Sequence, residues 1–114
     1  MTLKKAGVGT VLFSNLEKAD SFFPRLIGLI KYPSLGEDQA LWITRANSIH
    51  TFFMRFAIDC VFVDSKGQVK KIYHHVQPWR CTMPVWGARD VIEMAAGQAR
   101  RKEIAEGDIL ECGL

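Results

Sequence analysis

The sequence predicts a mainly β fold: a two-layer sandwich or a closed barrel, carrying one or two short helices. Three observations predict it. Short runs rich in β-branched and aromatic residues recur along the chain, with turn residues between them. Only one segment keeps helical spacing of apolar residues beyond two turns. A strand–helix–strand unit with a full-length helix occurs once, which disfavours a βαβ parallel sheet. The 114 residues suit a single domain, 1–114, of common size. Hydrophobic residues make up 48% and charged residues 24%, an ordinary globular balance that argues against disorder.

The elements follow in order. Residues 8–13 read as a first strand entered through glycines. A helix is predicted over 21–30, where Phe22, Phe23, Leu26, Ile27 and Ile30 fall on one face. Asp20 or Ser21 can cap it, with Pro24 in the first turn, and Ser14 with Glu17 offers a rival start. Tyr32-Pro33 ends it, because the residue before proline is driven out of α geometry. A loop through Gly36, Glu37 and Asp38 leads to a strand over 40–44. Residues 48–64 are β-like throughout, too long for one ordinary strand, so a break is expected at Arg55-Phe56-Ala57. The second half, 58–63, turns at Asp64-Ser65-Lys66-Gly67 and returns as 68–74. Two prolines make 78–84 a loop. A strand over 91–94, a short helix over 97–102, a turn at Glu106-Gly107-Asp108 and a closing strand over 109–111 complete the chain.

The stretch from Ser48 to Asp59 is strongly apolar yet contains His50, Arg55 and Asp59. Burying ionisable groups without partners costs several kcal/mol, so these three need a reason. If 48–54 is a strand, His50, Phe52 and Met54 share one face. His50 is then a buried histidine satisfied by a backbone group, or a histidine at the mouth of a pocket. Arg55 and Asp59 would lie about 13 Å apart on one straight strand. A bend at 56–57 would let them pair and lock the turn; otherwise Arg55 becomes an anion contact and Asp59 a hydrogen-bonding or acid/base group. Trp79, Arg80 and Trp86 occupy one proline-flanked loop, where aromatics and arginine suit either packing or recognition.

Other chemistries find little support. Cys60, Cys81 and Cys112 form no CxxC pair and match no zinc spacing. They read as reduced thiols of a cytoplasmic protein, with Cys60 a small core residue. His74 and His75 are adjacent and point to opposite faces of a strand, so no metal and no cofactor is expected. No phosphate loop or nucleophile elbow is present. Cys81 with a histidine is the one nucleophile arrangement the composition permits. No apolar run follows Lys4-Lys5 and none nears the length of a membrane span. The net charge of +3 and pI of 8.9 are mild, and the basic run Arg100-Arg101-Lys102 is answered by Glu103 and Glu106. Nucleic acid is therefore not an expected partner.

Taken in order, several pieces resemble a family of small bacterial and archaeal proteins, domain of unknown function 192. They are Arg25-Leu26-Ile27-Gly28-Leu29, Ile49 to Asp59, Val61-Phe62-Val63-Asp64 with Gly67, Pro78-Trp79, Ala88-Arg89, Val91-Ile92-Glu93, Ala96-Gly97 and Gly107-Asp108. The resemblance implies a compact, jelly-roll-like β domain and no particular activity. Ala57 stands where the family usually has proline, and the exported relatives' signal sequence is not seen here.

The leading expectation is a module that binds a small molecule or protein segment in a cleft near His50, Met54, Arg55 and Asp59, with Trp79 and Arg80 at its mouth. Carbohydrate, peptide and small anion are all compatible. The alternatives are a hydrolase using His50 as base with Asp59 orienting it, and a nucleic-acid-binding β-barrel.

Overall fold

A computed structural model describes residues 1–19 and 34–113. The predicted helix over 21–30 lies outside the described residues. The chain runs β1 (Thr2–Lys5), β2 (Val11–Phe13), β3 (Asn15–Ala19), β4 (Gln39–Ile43), β5 (Ile58–Val63), β6 (Val69–Val76), β7 (Asp90–Ala95), a one-turn α1 (Gln98–Arg101) and β8 (Leu110–Gly113). Two sheets result, with orders β2-β1-β8 and β3-β4-β7-β5-β6. Among the described residues each sheet keeps two edges, so the alternative of a closed barrel is not realised. Among the described strands every pairing is antiparallel except that of β3 with β4.

One core fills the space between the sheets. Leu3, Leu12, Phe13 and Leu110 from the smaller sheet meet Trp42, Val61, Val63, Ile92 and Met94 from the larger, with Ala99 and Ile104 closing it near α1. A second core lies on the other face of the larger sheet, where Leu41, Ile43, Cys60, Phe62 and Val91 are covered by Met54 and Val85. This explains why all six residues of β5 are buried: each face of that strand meets a core.

Three expectations need correction. The first strand is shorter than 8–13, and β1 precedes it; Thr-Leu-Lys-Lys has little strand propensity of its own and is held by β8 and β2 on its two sides. Ser14 and Glu17 do not start a helix. Ser14 donates from its backbone N–H and its hydroxyl to the Asp38 carboxylate, and 15–19 pair with β4. Residues 48–54 form no strand; they make one bridge, His50 to Cys81, and then turn. The apolar residues of that run cover the second core instead of joining a ladder, so the strand-face assignment fails: Met54 is buried while His50 and Phe52 are exposed.

The hairpin at 64–67 follows its turn chemistry. The Asp64 carboxylate accepts the backbone N–H groups of Lys66 and Gln68, each at 2.9 Å. The Gln68 bond leads the causes that hold the Asp64 carboxyl below the usual carboxylate range. Gly67 has φ +82°, and a Cβ there would stand 2.3 Å from the Leu110 carbonyl oxygen.

Candidate functional site

Thr51 is the residue from which the loops are built. It is 0% exposed. Its N–H donates to the Arg80 carbonyl at 2.8 Å, and its carbonyl accepts the N–H of Trp79 at 3.0 Å and of Met54 at 3.2 Å. Its hydroxyl donates to the Gln77 carbonyl at 2.6 Å and accepts the Arg80 N–H at 2.9 Å. Thr82 repeats the device one step on: its N–H donates to the Ile49 carbonyl and its hydroxyl accepts the Ile49 N–H. Two irregular loops, 48–57 and 77–86, are thereby joined without a ladder, and their buried polar groups are paired.

The side chains projecting from this clamp are aromatic. His50 stacks on Phe52 with ring centroids 5.0 Å apart, Phe52 on Trp79 at 5.8 Å, and Phe53 meets Trp79 at 4.8 Å. Phe53 and Trp79 have φ of 68° and 65°, in the left-handed region that bulky residues avoid. Each such residue costs on the order of 1–3 kcal/mol and persists only where its surroundings hold it. Both are nonetheless open to solvent, at 65% and 56% exposure, and Met83 and Trp86 of the same loop reach 73% and 97%. Arg55 and Arg80 are exposed too. Met54, by contrast, is an anchor under the loop, packed into the second core.

Asp59 lies elsewhere. Its carboxylate is 0% exposed and accepts three backbone N–H groups: His75 at 2.9 Å, Gly97 at 3.0 Å and Ala99 at 2.9 Å. It fixes the bulge of β6, where His75 has φ 53°, to the start of α1. Among the described residues no ion pair joins Arg55 to Asp59, and no hydrogen bond joins His50 to Asp59. An acid–base pair of those two therefore has no geometry here. His50 instead accepts the Phe52 N–H at its Nδ1, at 3.3 Å.

Glu93 is a buried ionisable residue that the strand expected over 91–94 does not single out. It is 3% exposed and lies opposite Leu41 on β4 and Cys60 on β5, on the face of the second core. Burial pushes its carboxyl up to about 8. Burial also raises the Cys60 thiol, with Glu93 and Asp59 adding to it, so that thiol is unreactive. The signal for Glu93 was the one that singled out His50, an ionisable residue inside an apolar run. Phe52 and Phe53 carried no such signal, because only the failed strand makes them surface residues.

Among the described residues no group of three or more His, Cys, Asp and Glu is arranged to hold a metal. No described helix is long and apolar enough to cross a membrane.

Comparison with known proteins gives a consistent picture. The model of the family DUF192, described as Uncharacterized ACR, matches residues 2–112. A UPF0127 protein of Thermococcus sibiricus is 37% identical over an alignment of 93 positions that covers 78% of this chain and 60% of that protein's length. One from Thermococcus gammatolerans is 32% identical over an alignment of 106 positions that covers 90% of this chain and 69% of its own. A solved structure, a protein of unknown function from Novosphingobium aromaticivorans, superposes with a TM-score of 0.84 at 23% identity, covering 98% of this chain and 84% of that one. That last likeness concerns the fold.

Proposed function

We propose that this chain, which belongs to the DUF192 family, is a ligand-binding module whose binding face is the aromatic platform of loops 48–57 and 77–86. The observation that carries the reading is the pair Phe53 and Trp79, both in the left-handed region, both exposed and in contact. Strain of this kind is retained where an arrangement is needed rather than merely allowed. Rigid aromatics already held in place bind with less ordering cost than mobile ones. Arg55, Arg80 and His50 lie in the same loops, which favours a ligand combining a flat apolar group with negative charge. Asp59, with its carboxylate engaged by backbone, serves the reading as scaffold.

The test is intrinsic tryptophan fluorescence and thermal shift with three probes: AMP, maltotriose and an acidic phenylalanine-containing peptide. At least one is expected to shift both signals, and Trp79→Ala to remove the response while Ser65→Ala leaves it. Silence from all three, or an undiminished response in Trp79→Ala, would refute the reading.

A further inference from the structure

From the distribution of charge over the same platform we infer that its partner is a single-stranded nucleic acid. The inference rests on the platform reading and narrows it. Loops 48–57 and 77–86 hold Arg55, Arg80 and His50, and with the residues flanking them, 45–58 and 74–89, they contain Arg45, Arg55, Arg80 and Arg89, three histidines, and no aspartate or glutamate. They hold four of the chain's fifteen Lys and Arg and none of its twelve Asp and Glu, so the other residues carry eleven basic against twelve acidic. The whole positive excess of the protein thus belongs to the two loops that present the exposed aromatics together with their flanking residues. All four cations there are arginine, the residue that pairs bidentately with phosphate and also stacks on flat rings. The carboxylates next in sequence, Asp59 and Asp90, are both buried and engaged: Asp59 accepts the backbone N–H groups of His75, Gly97 and Ala99, while Asp90 accepts the Trp42 Nε1–H at 2.9 Å and the Arg45 N–H at 2.9 Å, and lies 3.9 Å from the Arg89 Nε.

The chemistry selects among anionic partners. Neutral sugars are recognised through carboxylate and amide groups on their hydroxyls, and these loops offer only Asn47 and Gln77. A base stacks on any flat aromatic, and a phosphate takes an arginine, so Phe53, Trp79 and Trp86 with Arg55 and Arg80 match a strand with unstacked bases. A duplex keeps its base faces covered and cannot use the platform. An anionic membrane would accept the same residues but needs no stacked array, whereas here His50, Phe52, Trp79 and Phe53 form a continuous one.

The experiment is fluorescence anisotropy with labelled 15-mers of deoxythymidine and of uridine, at rising salt, beside a 15-base-pair duplex, AMP and phosphatidylglycerol vesicles. The single strands are expected to bind at low salt and more tightly than the duplex or AMP. Trp79→Ala should weaken binding about 5-fold or more. Arg55→Gln with Arg80→Gln should weaken it and flatten the logarithmic salt slope by about 1.4. Trp86→Ala, at a side chain that is 97% exposed, repeats the test at a position the fold does not need. Failure of both oligonucleotides to bind, binding that ignores Trp79→Ala and Trp86→Ala together, or preferential capture by the vesicles would overturn the inference. If AMP or the peptide responds while the oligonucleotides do not, the platform reading stands and this one falls.

Discussion

Thr51 and Glu93 are both buried polar residues in apolar surroundings, and physics treats them oppositely. Thr51 is satisfied at every polar atom by the loop it faces, so Thr51→Val removes the hydroxyl and strands the Arg80 N–H. The expected loss is about 2 kcal/mol of unfolding free energy, with weakened binding at the platform, measured by urea denaturation and by the fluorescence titration. Glu93 has burial alone as the cause of its raised pKa. Its folded value of about 8 lies above the ordinary 4.5, so the folded state holds the proton more tightly. The stability this confers is complete below pH 4.5 and is lost as pH rises toward about 8, by up to about 1.4 kcal/mol per pH unit. Glu93→Gln cannot ionise, so its urea midpoint should change less between about pH 5 and about pH 8 than that of the wild type. Parallel pH curves for the two proteins would sink this assignment.

At the scale of elements, what the sequence revealed depended on whether a segment's structure came from its own residues. Strands β4, β5, β6 and β7 were legible because β-branched and aromatic runs end at turn residues, and the 64–67 hairpin because Asp64 and Gly67 have local work. Gly67→Ala tests that hairpin. A left-handed backbone and a Cβ 2.3 Å from the Leu110 oxygen should cost about 2 kcal/mol or more, seen as a lowered melting temperature. Strands β1 and β3 were illegible because partners make them, Leu3 being the only apolar side chain in Thr2–Lys5. The run 48–54 misled for a related reason. Apolar content says that a segment is covered, and it does not say whether the segment lies in a sheet or across one. The candidate site suffered from the same ambiguity: a ladder would have put His50, Phe52 and Met54 on one face, while the clamp at Thr51 sorts them differently. Asp59 was rightly suspicious as an ionisable group in a core strand, but its three donors are backbone groups from distant parts of the chain, which residue types do not announce.

At the scale of the molecule, the two sheets hold together through the core between them. Leu3 is wholly buried there with Phe13, Val61, Ile92 and Leu110. Leu3→Ala should remove about 3 kcal/mol and shift the whole unfolding transition without splitting it, observed by near-ultraviolet circular dichroism of buried Trp42 and by far-ultraviolet signal together. Two separated transitions would mean that the sheets unfold independently.

The pairing of Thr2 with Gly113 and of Lys5 with Leu110 sets an order of events during synthesis. Of the described strands, the ribosome releases β1 first and its neighbour β8 last. The larger sheet has all its described strands available once residue 95 has emerged, whereas the smaller one waits for residues 110–113. Until then one edge of β1 stays unpaired and the Leu110 side of the inter-sheet core stays open, so β1 is the strand most exposed to aggregation during synthesis.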